Sequence, residues 1–198
     1  RRAYAIVLML IGSTVISFSG LTIRNIQLAD NWQINFYRSV AFGLTISIIL
    51  LFRYGKRAPQ QFTGIGLKGV WAGVMLAFAS ISFLQAITNT TVAATTFTLS
   101  SIPFITAAMA WLFMREHIEK STIYTLIAAA IGISLMFIQG LGSGTLYGNF
   151  MAFLCAIGFS AYATLIRWNR SSDMLPSLII CNLIIMILAL VFRWDNII

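Results

Sequence analysis

Apolar residues fall into seven runs along the chain: Tyr4 to Ile23, Trp32 to Phe52, Gly69 to Ile87, Val92 to Met114, Thr122 to Gln139, Gly148 to Ile166 and Met174 to Phe192. Each is close to the ~20 residues that cross a hydrocarbon core of ~30 Å as a helix. No water reaches a backbone inside lipid, so each run has to satisfy its own N–H and C=O groups and is expected to be helical. The third and fourth runs are joined only through Thr88 to Thr91, a connection so short that it predicts an antiparallel hairpin. The expected fold is all-α, a polytopic transmembrane helix bundle.

Polar positions within the runs keep helical spacing. Ser13, Ser17, Gly20 and Arg24 share one face of the first span, Ser82, Gln85 and Asn89 one face of the third, and Thr91, Thr95 and Thr98 one face of the fourth, with Ser101 close by. Such stripes face the bundle or a wet cavity rather than lipid. For the hydroxyls two readings stay open: cavity lining, or hydrogen bonds between helices worth ~0.6 kcal/mol each. Gln85, taken to lie at mid-depth, is expected to need a cavity, because its amide is costly to leave unmet. Arg38 lies ~9 Å below the outer end of the second span, where its guanidinium either holds an anionic group or snorkels to the interface. Pro103 removes one helical hydrogen bond near Leu99 and predicts a bend, a backbone acceptor for substrate or a tolerated kink. The substrate-binding residues expected are Gln85, Thr98, Ser101, Arg38, Ser17 and Ser82. Small residues at Gly73 and Ala77, at Ala128 and Gly132, and at Ala152, Ala156 and Ser160 predict close helix approach.

Composition makes lipid the solvent: 59% of residues are hydrophobic and 9% charged, against about 25% charged in a soluble domain. The net charge of +8 forms no stripe that could track a phosphate backbone, so no nucleic acid is expected. It reads instead as topology. Arg1, Arg2, Arg53, Lys56, Arg57, Lys68, Arg115, Lys120, Arg167 and Arg170 fall on one side and only Arg24 and Arg193 on the other, which places the N-terminus in the cytoplasm. Cys155 and Cys181 lie within apolar runs with no metal or redox spacing and read as small hydrophobes. Gly64, Gly66 and Gly69 match a dinucleotide-loop pattern without its strand or acidic partner, and are expected to form a glycine-rich cytoplasmic loop. His117, in a charged turn with Arg115, Glu116, Glu119 and Lys120, is no catalytic candidate.

Ser17 to Arg24 (SFSGLTIR) matches Ser160 to Arg167 (SAYATLIR), and at the same offset Asp30 aligns with Asp173. Five spans separate the copies, so they run in opposite senses, as in the inverted repeats of secondary transporters. Ser100-Ser101-Ile102-Pro103-Phe104 leading into Ala110-Trp111-Leu112-Phe113-Met114-Arg115-Glu116, with Phe36-Tyr37-Arg38 and Gly132-Ile133-Ser134, resembles the drug/metabolite transporter superfamily and its EamA-type members. The resemblance implies ten spans in two inverted five-helix repeats, so that 1–140 is the first repeat and 141–198 the start of a second. On that reading the chain, which begins without methionine, is a piece cut after the seventh span, and the missing end holds half of the cavity.

The function expected is a secondary transporter moving a small metabolite by alternating access in a bacterial inner (plasma) membrane. Its partners are a small-molecule substrate and the bilayer; oligomeric state is not legible. No cofactor or metal is expected, and no Asp, Glu, His or Lys lies inside the apolar runs to serve an intramembrane enzyme. A structural scaffold remains the other alternative, and a retinal protein lacks its lysine in the seventh span.

Overall fold

A computed structural model describes residues 6–7, 9–10, 12–14, 30–115, 120–139, 145–169 and 173–197. Its helices are α1 (Asn31–Tyr54), α2 (Ala58–Gly64), α3 (Gly66–Asn89), α4 (Val92–Leu99), α5 (Ile102–Met114), α6 (Lys120–Gln139), α7 (Leu146–Trp168) and α8 (Leu175–Ile197), with a 3₁₀ turn at Gly55–Arg57. There is no strand among the described residues, and the chain is an all-helical, polytopic membrane bundle. Among the described residues five stretches are long and apolar enough to span: Asn31–Tyr54, Gly66–Asn89, Val92–Met114, Leu146–Trp168 and Leu175–Phe192. The fifth expected span is helix α6. The described residues between 6 and 14 are helical, and the remainder of the first expected span lies outside the described residues.

Helix starts are set by side chains that accept otherwise unpaired N–H groups. Asp30 accepts from Asn31 N at 2.8 Å while Gln33 accepts from Asp30 N at 3.0 Å, closing a capping box on α1. Thr91 caps α4 through Ala94 N at 3.1 Å, Thr145 caps α7 through Gly148 N at 3.2 Å, and Asp173 caps α8 through Leu175 N at 3.1 Å. The expected glycine-rich loop at 64–69 is instead a tight turn between two helices. Gly66, at φ +58, takes the left-handed conformation that lets α3 begin directly after α2. Pro103 does more than bend the fourth span. The helix stops at Leu99 and restarts at Ile102, with Ser100 and Ser101 forming the turn and Pro103 in the first turn of α5, where its missing N–H costs nothing.

Helix α3 stands at the centre, packed along α7 and α8 and touching α1 and α4. Helix α1 lies along α8, α4 and α5 lie along α7, and α6 packs chiefly on α5. The α1–α8 pair is antiparallel: Trp32 stacks on Phe192 with centroids 5.0 Å apart at one end, and the Tyr54 hydroxyl donates to Asp173 at the other.

Lipid tails are as apolar as leucine, so such helices gain from close backbone approach rather than from hiding large side chains. The burial pattern follows. Ala72, Ala79, Ala86, Ala152, Ala156 and Ala189 are fully buried, whereas Leu44, Phe52, Leu112, Ile187 and Phe192 face outward. A Cβ on Gly158 would stand 2.9 Å from Ala79 Cβ, and one on Gly73 would stand 2.9 Å from both Ile180 Cγ2 and Ser177 O. Gly73, Ala77, Ala152, Ala156 and Ser160 are buried in close contacts as expected. Ala128 is exposed, because α6 lies at the edge of the bundle and has few neighbours to approach.

Candidate substrate-binding interior

One end of the bundle gathers the start of α1, the end of α3 and the start of α7. Asn31 Nδ2 donates to Gln85 Oε1 at 3.0 Å and to Thr88 Oγ1 at 3.0 Å, and Asn89 Nδ2 donates to the Gln85 carbonyl at 2.8 Å. Thr145 Oγ1 donates to the Asn89 carbonyl at 2.5 Å, and Thr90 Oγ1 to Asn149 Oδ1 at 2.8 Å. Gln85 therefore sits in a polar cap and not at mid-depth. Helix α3 continues to Asn89, which leaves Gln85 only one turn, roughly 6 Å, from its end.

Arg38 is the deeper of the two. It lies about two turns into α1, roughly 10 Å from its start, and its guanidinium turns inward rather than snorkelling. Nη2 donates to Ser80 Oγ on α3 and to Asn35 Oδ1 at 3.4 Å on its own helix. Ser80 is about 13 Å from the Asn89 end of α3. Arg38 thus bridges α1 to α3, with Cys155 of α7 and Cys181 of α8 within electrostatic range of the guanidinium. Asn35 and Ser39, one turn apart on α1, are each 1% exposed. Neither Asn35 Nδ2 nor Ser39 Oγ has a hydrogen-bond partner. Below them Gly43 faces Asn182 of α8, whose Nδ2 donates to its own Leu178 carbonyl at 2.7 Å. Asn35 and Ser39 escaped the sequence reading. The signal was the spacing Asn31, Asn35, Arg38, Ser39, one continuous polar face of the second span.

The other expected site residues stand elsewhere. Thr98 and Ser101 are buried at the break between α4 and α5, and their hydroxyls turn back on their own chain, to Ala94 O at 2.9 Å and Thr98 O at 2.6 Å. From α7, Ser160 Oγ donates to the Ile102 carbonyl beside that break at 3.1 Å. Ser82 is buried on α3. No hydrogen bond among the described residues joins Thr98, Ser101 or Ser82 to Gln85 or Arg38, and Ser17 lies outside the described residues.

At the opposite end Asp173 accepts from the Tyr54 hydroxyl and the Leu175 N–H, with Arg53 Nη1 3.6 Å away. Partial burial pushes the Asp173 carboxyl up, but these three partners outweigh it and hold it below its ordinary value of 3.8. Lys68 Nζ stands 4.5 Å from the centroid of Trp168. A cavity of about 600 Å³ opens between α7 and α8 beside this cluster, lined by Tyr162, Ile166, Arg167, Asn169, Asp173 and Leu178.

The family model described as EamA-like transporter family matches residues 3–138. That stretch contains α1 to α5 and nearly all of α6, including Arg38 and its α3 partner. Neither a curated protein nor a solved structure matches the chain.

Proposed function

Because the chain belongs to the EamA-like transporter family, a family of membrane transporters of small solutes, we propose that it is a secondary transporter carrying a small metabolite by alternating access. The observation that carries this reading is the interior of α1. Asn35, Arg38 and Ser39 are polar, inward-facing and incompletely paired at a depth where unpaired polar groups are costly. The neighbouring α3 buries Ala72, Ala77, Ala79 and Ala86, whereas α1 buries Asn35 and Ser39 with unpaired groups. An interior that keeps such groups is built for an occupant.

We take the moving units to be two inverted repeats, residues 1–140 and the segment from 141 onward. Asp30 and Asp173, which align at the offset of the SFSGLTIR and SAYATLIR stretches, cap α1 and α8. Those two helices are antiparallel neighbours with their capped starts at opposite ends of the bundle, which is what inverted copies of one helix would give. Arg38 and Ser80 belong to the first unit, and Cys155 and Cys181, within electrostatic range of Arg38, to the second, so substrate would sit between the parts that rock. The N-terminus is assigned to the cytoplasmic side of a plasma membrane, the bacterial inner membrane, on the distribution of Lys and Arg. The five spans hold no Asp, Glu or His, and Lys68 stands only in the first turn of α3; this favours transport over intramembrane catalysis.

Counterflow in liposomes tests the proposal. Vesicles carrying the protein and preloaded with pooled metabolites should accumulate at least one labelled member of the pool, and protein-free vesicles should not. A helical, inserted protein that exchanges none of them would contradict it.

A further inference from the structure

Resting on that reading, we infer that the substrate is held by a singly charged carboxylate bound to Arg38, Asn35 and Ser39. The argument is a count of donors and acceptors. A guanidinium carries five N–H donors and accepts nothing. The protein contacts of Arg38 run from Nη2 alone, to Ser80 Oγ and Asn35 Oδ1. That bond uses one lone pair of the Asn35 amide oxygen, while the Asn35 Nδ2 donors are buried without a partner. Ser39 is in the same state, although Thr45 and Ser47 on the same helix donate to the carbonyls of Ala41 and Gly43. A serine in a membrane helix has that carbonyl available, and Ser39 leaves it unused.

The site thus has more donors than acceptors, and the guanidinium's hydrogen-bond partners, Ser80 and Asn35, are both neutral. The ion pair of Arg53 with Asp173 lies at the far end of α1. A neutral ligand or water would meet the donors and leave the charge uncompensated. A carboxylate meets both, because its two oxygens match the guanidinium fork and still accept from an amide and a hydroxyl. Ser80 of α3 accepts from Arg38, and Cys155 of α7 and Cys181 of α8 lie within electrostatic range of it; none of the three is cationic. One positive charge balances a monoanion and leaves a phosphate dianion in excess.

Thermal unfolding of the protein in lipid nanodiscs is the test, with acetate, benzoate and phenylacetate each compared with its uncharged amide, and with inorganic phosphate beside them. At least one carboxylate should raise Tm where its amide does not. Arg38→Gln should abolish that difference, and Arg38→Lys, which keeps the charge without the fork, should weaken apparent affinity roughly tenfold. Ser39→Ala should leave the unliganded protein as stable as before, since the hydroxyl has no partner to lose, and weaken carboxylate binding about threefold to tenfold. It keeps the test informative if Arg38→Gln misfolds. Amides as effective as acids, no response to any acid, or an acid response untouched in both Arg38→Gln and Ser39→Ala would overturn the assignment. A larger, Arg38-dependent response to phosphate would overturn the carboxylate. Binding is read here without transport. An acid that binds but fails in counterflow sinks the transporter and spares the site. Exchange of a neutral or cationic solute that is indifferent to Arg38→Gln does the reverse.

Discussion

Adding one methyl group at Gly158 tests whether backbone contact holds this bundle together. The new Cβ would stand 2.9 Å from Ala79 Cβ and 3.1 Å from Ala79 Cα and N, against the ~3.5–4.0 Å of an ordinary carbon contact. Two of those three atoms are backbone of α3, so no rotamer change can clear them, and α3 and α7 have to separate by about half an ångström. Overpacking of this kind costs about 1–3 kcal/mol. Ala also favours the helix over Gly by about 1 kcal/mol, which blurs the result of a single substitution. Gly132→Ala removes that ambiguity. It lies inside α6 with Phe97 Cζ 3.8 Å from the would-be Cβ, so it receives the same propensity gain with no clash. The difference between the two variants isolates the packing cost. Thermal unfolding in one detergent should place Gly158→Ala below Gly132→Ala by about 1–3 kcal/mol, or roughly 2–10 °C for a chain of this size, with Gly132→Ala at or above the parent. If Gly158→Ala melts with Gly132→Ala, the closeness of α3 and α7 contributes nothing and the packing account fails.

Two further predictions concern the Asp173 end and the topology. Tyr54→Phe removes a hydrogen bond to a carboxylate and should lower stability at neutral pH. Because Asp173 is held below its ordinary value of 3.8, the bond's contribution is complete above that value and is lost as pH falls through the lowered one. The parent and Tyr54→Phe should therefore unfold alike in strong acid and apart at pH 6, and an equal gap at both would exclude Asp173 as the partner. For orientation, the native Cys155 and Cys181 are buried and give little background, so an impermeant maleimide added outside should label Ser143→Cys and spare Pro59→Cys. The opposite pattern would reverse the assigned topology.

The spans were legible because hydrophobic length is nearly sufficient for a membrane helix. The expected Val92 to Met114 span matches the ends of the described one, the last span shares its end at Phe192 and starts one residue later than expected, and the other three described spans extend one to three residues beyond expectation at each end. Less legible was anything set by a local backbone choice. A proline within an apolar run signals a disturbed helix but not its degree. The break after Leu99 is a tight turn closed by Ser100 and Ser101, whose backbone N–H and hydroxyl groups both donate to the carbonyls of Phe97 and Thr98. Gly64, Gly66 and Gly69 looked like a loop by composition. Only Gly66 turns the chain; Gly69 lies within α3, where its missing Cβ makes room for the Ile65 side chain, which would be 2.5 Å from it.

The expected site was partly legible for a chemical reason. Serine and threonine can return their hydroxyl proton to a carbonyl one turn back, so a polar stripe made of them does not say whether it faces a ligand. Thr95, Thr98, Thr106 and Thr164 all do so here, and for these the stripe describes a helix satisfying itself. Asparagine, glutamine and arginine carry more donors than that arrangement absorbs, so they have to find partners across the bundle or leave groups unpaired. Gln85 finds Asn31 and Asn89 in the cap, and its amide oxygen is met by protein. Arg38 and Asn35 find each other and Ser80, yet the balance of donors over acceptors remains uneven. The depth of Arg38 was readable from its place in the run. Its inward turn was not, because that depends on Ser80 of α3 being small, polar and level with it, a coincidence of two helices that spacing within one helix cannot show. The discriminating property of a membrane polar residue is therefore the number of its donors left over after its own helix has been served. By that measure α1, with Asn35, Arg38 and Ser39, is where an anionic occupant is most strongly demanded.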